Sequence, residues 1–191
     1  MLVDMSYVKE INNYISKNDQ EHQDKKVILD FIKLFPHNVL LRDNEIAHIT
    51  SSGFILNNDL SKALFIHHNI RNTWAWTGGH ADGETDLLAV AAREALEETG
   101  INVMPISPKI ASLGVLTVSG HMKNGKYINS HLHLNVAYLF IADEAAVPVV
   151  KPDENSGVEW FPIEEIAVGV FTERDVYIYS NLIKQAKDWR R

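Results

Sequence analysis

The chain has 191 residues, a formal net charge of −7 at pH 7 and no cysteine. Its length predicts about one globular domain, and its 46% hydrophobic content is typical of a protein with an ordinary buried core. Because no long run of Lys or Arg is present, the sequence argues against binding to duplex nucleic acid, and the lack of cysteine excludes disulfides, thiolate metal sites and a Cys nucleophile.

Two amphipathic helices are predicted at the start of the chain, over residues 6–17 and 19–34. Charged residues such as Asp4 and Lys9 lie within the first twenty positions, so we expect neither a signal peptide nor a membrane span. A cytoplasmic protein is the expectation, since the lack of cysteine suits a reducing compartment. We predict that residues 1–42 form a helical extension: either a cap, which amphipathic helices favour, or the arm of a homodimer or a partial lid.

Residues 43–191 are predicted to form the main domain. Strands over 45–57 and 62–67 flank a turn rich in Asn and Asp, which predicts a hairpin. The following segment contains Arg71 and Trp74 and leads into a glycine-rich loop. We take these two residues as candidates for substrate binding.

The glycine-rich loop at residues 78–86 is followed by a helix, predicted over residues 87–98. Strong helix formers fill that segment, Thr85 or Asp86 can cap its first turn, and Gly100 is placed to end it in a left-handed conformation.

Three glutamates of this helix, Glu94, Glu97 and Glu98, fall within one arc at about 100° per residue. We expect the opposite face to be the core face, formed by Leu88, Ala89, Ala92, Ala95 and Leu96. Like charges three or four positions apart each cost about 0.2–0.5 kcal/mol, so a positive group is expected beside the glutamates. The candidates are Arg93 and a hard divalent cation, which prefers carboxylate and carbonyl oxygens. A solvated acidic face is the alternative.

The rest of the chain is richer in strands. Runs at 109–119 and 129–142 enclose a polar hairpin loop at 123–126. After a loop that contains two prolines, we predict a short helical turn at 162–166 and a terminal helix at 174–190.

The glycine loop and its helix, residues 79–101, resemble the Nudix box of the MutT-like pyrophosphohydrolases. That motif is a Gly, five residues, a Glu, seven residues and then Arg-Glu-apolar-x-Glu-Glu-x-Gly-apolar. Residues 93–101 fit its tail at every position. One position departs, because the first Glu of the motif falls on Thr85 here, with Glu84 immediately before it.

The resemblance implies an α/β fold of the Nudix type, an α/β/α sandwich with a mixed β-sheet, here preceded by the N-terminal helical pair. It also implies a Mg²⁺- or Mn²⁺-dependent hydrolase that cleaves the diphosphate linkage of a nucleoside diphosphate bound to another group X. Carried over residue by residue, it makes Glu94, Glu97 and Glu98 metal ligands, one of them a candidate general base. Gly79 becomes a carbonyl ligand of the metal, and Arg93 orients the carboxylates.

Glu154 is a further candidate outside the box. The spacing from Glu154 to Glu159-Trp160 is similar to the place where some Nudix hydrolases supply another carboxylate. Glu154 is therefore either a functional residue, acting as metal ligand or general base, or simply a solvated loop residue.

Histidines form the last group of candidates. His131 and His133 share one strand face at ligand spacing, but surface or hydrogen-bonded histidines are the favoured interpretation. His80 is the exception, because it sits inside the glycine loop and must lie near any phosphate bound there. We take it as a substrate-binding candidate.

Two other functions are alternatives to hydrolysis. The chain resembles isopentenyl-diphosphate isomerase at His48 with the following Ser51-Ser52, and at residues 76–80, and the matching histidines bind a metal in that family. Its proton-donating Cys falls at Gly78 here, however, so that mechanism cannot run. A non-catalytic nucleotide-binding Nudix protein is disfavoured because it need not keep all three box glutamates.

Overall fold

The computed structural model describes residues 5–123, 125–166 and 170–190, and places one mixed β-sheet between two layers of helices. Three helices cover one face of the sheet and one covers the other: α1 (Ser6–Asn13), α2 (Asp19–Leu34) and α3 (Leu87–Thr99), and opposite them α4 (Glu173–Trp189). The predicted α/β/α sandwich with its N-terminal helical pair is thereby confirmed.

Within the described residues, eight strands form the main sheet and two pair as a separate ribbon. In chain order they are β1 (Ala47–Asn57), β2 (Lys62–His68), β3 (Thr73–Ala75), β4 (Thr77–His80), β5 (Met104–Pro105), β6 (Ser112–Val118), β7 (His121–Lys123), β8 (Lys126–Ile128), β9 (His131–Ala142) and β10 (Asn155–Pro162). The ribbon is formed by β7 and β8.

Strand β1 is the centre of the sheet. Along one edge it pairs in parallel with β9 over its whole length, from Ala47 opposite Leu132 to Asn57 opposite Ala142. Along its other edge it pairs antiparallel with β4 and then with β2. Strand β1 therefore holds the glycine-rich strand β4 and the histidine-bearing start of β9 on either side of itself.

The N-terminal helices share the larger hydrophobic core with α3 and β9. Their most buried apolar side chains are less than 3% exposed: Tyr7, Ile11, Ile28 and Ile32. This is the packing expected of a cap, while the boundary between residues 42 and 43 stays a prediction. Among the helices of the described segments, none has the length and apolar character needed to cross a membrane.

Helix α1 is shorter than predicted because the chain becomes extended at Tyr14, whose ψ is 130°. The Tyr14 hydroxyl donates a hydrogen bond to the buried Glu21 carboxylate at 2.7 Å. The Lys25 ammonium donates to the carbonyl oxygens of Asn12 and Tyr14, at 2.8 and 2.7 Å. The two bonds from Lys25 satisfy backbone carbonyl oxygens at the end of α1.

Several local predictions need adjustment. The short strands β3, β4 and β5 were not predicted, since each is too brief to show a period of two. The predicted loop at 123–126 joins β7 to β8, although Asn124 lies outside the described residues. At 162–166 the chain forms a turn, in which the Glu165 N–H donates to the Pro162 carbonyl at 3.0 Å.

Candidate active site

The site is built where strand β4 meets helix α3. The Asp86 carboxylate caps the helix by accepting a hydrogen bond from the Ala89 N–H at 3.0 Å, and Gly100 ends it with a φ of 70°. Both ends of α3 thus use the residues that the sequence indicated, with Asp86 rather than Thr85 as the cap.

Two of the three glutamates face inwards. Glu98 accepts a hydrogen bond from the Gly78 N–H at 2.8 Å. A Cβ atom added to Gly79 would meet the Glu94 carboxylate, so a larger residue there would require that carboxylate to move. Strand β4 therefore contacts α3 in two ways. The Gly78 N–H binds the Glu98 carboxylate, and the missing side chain at Gly79 leaves space for the Glu94 carboxylate.

This packing corrects the predicted core face of α3. The buried residues of the helix include both glutamates: Leu87, Val90, Ala91, Glu94, Ala95, Glu98 and Thr99. Of the residues expected in the core, Ala95 is buried, Leu88 and Ala92 are half-buried, Ala89 is exposed, and Leu96 is 43% exposed. The prediction was wrong for Ala89 and Leu96, whereas the other three residues belong to the core or pack against it. Periodicity treats every carboxylate as solvent-facing, but here two are turned towards the glycine strand.

Arg93 connects the carboxylates of the loop and the helix. Its Nη1 donates to Glu94 at 2.7 Å and to Glu97 at 3.2 Å, and its Nη2 donates to Glu84 at 3.1 Å. Arg93 therefore contacts three carboxylates, while its role as the residue that orients them stays a prediction. Glu84 supplies the loop carboxylate in this contact, one position before Thr85.

Burial dominates the electrostatics of the two inward glutamates. It raises the pKa of Glu98 to about 8, against the lowering effect of the Gly78 N–H. It also raises the pKa of Glu94, although the neighbouring Arg93 guanidinium opposes the change. At Glu97, slight burial favours a higher pKa, but hydrogen bonds from Arg93 and Lys151 outweigh it and leave the pKa lowered.

Glu154 belongs to the same electrostatic neighbourhood. Its negative charge contributes to the raised pKa of both Glu94 and Glu98. The Lys151 ammonium lies 3.1 Å from Glu154 and 3.4 Å from Glu97, so one cation links the loop carboxylate to the helix. Lys151 was not identified from the sequence, because a single lysine in a loop carries no recognisable pattern.

The donor set suits a hard divalent cation. It consists of carboxylates on α3 and, at Glu154, in the loop before β10, beside the backbone of β4, and such oxygen donors are the ligands that Mg²⁺ and Mn²⁺ prefer. Burial raises the pKa of both glutamates, although Arg93 opposes the change at Glu94 and Lys151 opposes it at Glu98. A bound cation would supply the missing charge.

His80, at the end of β4, lies in a cluster of four histidines. Its ring centroid is 4.9 Å from those of His48 and His133. Nε2 atoms of His131 and His133 are 3.2 Å apart. The sequence indicated hydrogen-bonded histidines at positions 131 and 133, but their convergence with His48 depends on the parallel pairing of β1 with β9, which spacing alone does not reveal.

Arg42 and Asp82 border both clusters. They form a bidentate ion pair, in which Nε of Arg42 donates to Oδ1 of Asp82 at 2.7 Å and Nη2 donates to Oδ2 at 2.6 Å. This ion pair closes the glycine loop, where Asp82 has a φ of 48°. Arg42 was not identified from the sequence, because it lies in the segment before the first strand.

Arg71 and Trp74 make their described contacts elsewhere. Arg71 lies 3.9 Å from Asp175 on α4, and the Trp74 ring packs edge-on to His67 and Phe161. No described ion pair or ring contact joins either residue to the carboxylates. Their proposed part in substrate binding stays a prediction.

Comparison with known proteins gives one family. The family model described as the NUDIX domain matches residues 47–182, which is most of the chain. No protein in the curated set matches the sequence.

Solved structures show the same fold at low identity. A NUDIX-family hydrolase from Clostridium perfringens has a TM-score of 0.53 and 20% identity, covering 72% of this chain and 97% of its own. A NUDIX hydrolase from Nitrosomonas europaea has a TM-score of 0.51 and 17% identity, with coverage of 72% and 89%. An Ap4A hydrolase from C. elegans has a TM-score of 0.50 and 14% identity, with coverage of 73% and 98%.

Proposed function

This chain belongs to the NUDIX family of pyrophosphohydrolases, and from that premise we propose that it cleaves a nucleoside diphosphate linked to a group X, with Mg²⁺ or Mn²⁺ as cofactor. The observation that carries the proposal is the pair of buried glutamates, Glu94 and Glu98, set against the glycine strand β4. Burying carboxylates costs free energy of folding, and carboxylates with a raised pKa are often found at functional sites, where they bind a cation.

Each residue of the site has a role in this proposal. Glu94, Glu97 and Glu98, with the carbonyl of Gly79, would hold the cation, and Arg93 would keep the carboxylates in position. When bound, Mg²⁺ or Mn²⁺ neutralises the diphosphate and stabilises the charge that develops in the transition state. The protein therefore contributes mainly by positioning.

The proton of the attacking water needs an acceptor. Glu154 is the first candidate, because it lies in a loop beside the cluster and is held there by Lys151. A box glutamate is the second candidate, and the two are separated by a prediction given below. His80 would face the phosphates, since it follows Gly79 directly in β4.

We propose a class of substrate and not one compound. The chain resembles in fold an Ap4A hydrolase, so dinucleoside polyphosphates belong in a substrate panel with nucleotide sugars, ADP-ribose, NADH and deoxynucleotides. Arg71 and Trp74 are proposed to contact the substrate beyond its phosphates.

The test is metal-dependent turnover of that panel by wild type and by Glu98→Gln. Loss of one ligand charge should lower kcat/KM of the best substrate by on the order of 10³-fold or more. Glu164→Gln, an exposed glutamate after β10, is the matched control and should keep full activity. Normal turnover by Glu98→Gln, or by wild type in excess EDTA, would refute the proposal.

The alternative functions have less support. A Cβ atom at Gly78 would lie 2.4 Å from the Ser52 Oγ, so the position that carries the catalytic Cys in isopentenyl-diphosphate isomerase admits no side chain here. A non-catalytic nucleotide-binding protein would show no turnover with any member of the panel.

We propose that the protein forms a homodimer. A homodimer is supported by exposed apolar side chains on or beside the N-terminal helices, Ile15 at 84% and Leu34 at 72% exposure, and sedimentation would test it. We also propose a cytoplasmic location, with which a chain free of cysteine is compatible.

A further inference from the structure

A second group of metal-ligand side chains lies beside the carboxylate cluster. His48 on β1, His80 on β4 and His133 on β9 each offer a ring nitrogen, and the three nitrogens lie within 4.8 Å of one another. His131, two residues before His133 on the same strand, brings its ring to 5.0 Å from that of His48. Three different strands thus direct imidazoles to one point.

Hydrogen bonds fix which nitrogens face that point. The Nδ1 of His48 lies 3.0 Å from the Asn44 carbonyl oxygen, and the Nδ1 of His131 lies 2.8 Å from the Asn129 carbonyl oxygen. Because a carbonyl oxygen only accepts, each Nδ1 must carry the hydrogen. In the neutral ring, Nε2 is then the unprotonated nitrogen with a lone pair.

The Nε2 of His48 is the most informative atom of the group. His48 is only 4% exposed, and this nitrogen is buried with no hydrogen-bond partner among the described residues. A buried polar atom without a partner is costly, so its position calls for a function. Ring nitrogens held by a backbone carbonyl on one side and open on the other are the usual arrangement of metal-bound histidines.

Simple packing of histidines explains the cluster less well. Four imidazoles in van der Waals contact would need their ring nitrogens to satisfy one another, and the described bond between His131 and His133 leaves the His48 nitrogen unpaired. Burial also keeps His48 and His133 neutral by lowering their pKa, so the rings are not arranged to hold an anion.

We propose that His48, His80 and His133, completed by His131, bind one divalent transition-metal ion of the Zn²⁺ class. Imidazole nitrogen favours Zn²⁺, Co²⁺ and Ni²⁺ over the hard ion Mg²⁺, whose oxygen ligands lie in the neighbouring carboxylate cluster. In a tetrahedral zinc site the nitrogens are roughly 3.3 Å apart. The 3.2 Å separation of the His131 and His133 nitrogens already matches this spacing.

This site differs from the proposed catalytic site in its ligand chemistry, although His80 borders both. Its ligands are nitrogens, and those of the proposed catalytic site are oxygens, so the two sites select different ions. His80 follows Gly79 directly, and the histidine metal would therefore lie next to the bound diphosphate.

The test is titration of the tag-free, metal-free full-length protein with Co²⁺ and with Zn²⁺, without Mg²⁺. We expect one Co²⁺ per chain with the intense visible absorption of a tetrahedral site, displaced by Zn²⁺, and a Tm raised by several degrees. His48→Gln and His133→Gln should each weaken Zn²⁺ binding by at least 100-fold. His22→Gln, an exposed histidine on α2, is the matched control and should bind like wild type.

Glu98→Gln separates the two sites, because it should abolish hydrolysis and keep the Co²⁺ spectrum. Should a buried His variant fail to fold by circular dichroism, the half-buried His80→Gln and His131→Gln provide the same comparison. Unchanged Zn²⁺ affinity in these variants, loss of the Co²⁺ spectrum in Glu98→Gln, or no stoichiometric binding by wild type would overturn the proposal.

Discussion

Two features of the fold act on the pKa of the Glu98 carboxyl group in opposite directions. Burial raises its pKa to about 8, while the hydrogen bond from the Gly78 N–H lowers it. The free energy of unfolding of the metal-free protein therefore depends on whether Glu98 is protonated. A cation in the site would remove that dependence, because positive charge favours the ionised form.

We predict that Glu98 makes the metal-free protein less stable, relative to Glu98→Gln, as the pH rises. Between the ordinary pKa of 4.5 and the folded value of about 8, the folded chain holds a proton that the unfolded chain has lost. The stabilisation is complete below the lower value and is lost as the pH passes the upper one, with a slope of up to about 1.4 kcal/mol per pH unit. Urea unfolding in EDTA at pH 5.5, 6.5 and 8 would measure it.

Glu98→Gln should flatten this profile, since an amide does not titrate. Wild-type protein in EDTA that gains stability relative to Glu98→Gln between pH 5.5 and 8 would contradict the assigned direction of the pKa shift.

A second prediction at this scale concerns Glu154 as general base. Glu154→Gln should lower kcat by roughly 10²–10⁴-fold, the usual effect of a positioned proton acceptor, with little change in KM. The acidic limb of the pH–rate profile should flatten. If kcat stays within a few-fold of wild type, the base is a box glutamate, and Glu154 is a loop residue held by Lys151.

At the scale of elements, helix α3 packs closely on strand β4 at Gly79, where β4 has no side chain. We predict that Gly79→Ala displaces the Glu94 carboxylate, which the new methyl group would meet at 2.3 Å. Overpacking of this kind costs about 1–3 kcal/mol, and activity should fall by at least 10-fold. Thermal unfolding and kcat/KM would measure the two effects.

Gly114→Ala on β6 is the control, because the nearest atom to a Cβ atom there is 3.8 Å away. Equal effects of the two substitutions would show that glycine at position 79 is not required by the carboxylate.

The same elements show how far the sequence could predict the structure. Helices α2, α3 and α4 were located within a residue or two, because amphipathic periodicity and capping residues are local signals. The carboxylates of α3 were found for the same reason. Arg42 and Lys151 were missed because they lie in segments outside the strands and helices, where no periodic pattern marks them. The histidine cluster was missed because it forms through the pairing of strands far apart in the chain.

For the whole molecule, the N-terminal helices complete the core on the face that holds α3. We predict that removing residues 1–34 lowers soluble yield and the Tm by at least 10 °C, because four almost fully buried side chains each contribute about 1.5–3 kcal/mol. Sedimentation and thermal unfolding would detect the change.

Neighbouring residues on α2 provide a matched pair for this prediction. Ile28→Ala removes a fully buried side chain and should cost about 2–5 kcal/mol, whereas Val27→Ala changes a side chain that is 45% exposed and should cost little. A truncated protein with unchanged Tm and sedimentation would show that the helices are an independent appendage.

The parallel pairing of β1 with β9 also has a consequence during synthesis. Strand β1 leaves the ribosome early, but its partner residues on β9 lie more than eighty positions later in the chain. Until then, a nascent chain presents one edge of an apolar strand with unpaired backbone groups, which favours aggregation and contact with chaperones. Contacts of such high sequence separation also predict folding in milliseconds to seconds rather than microseconds.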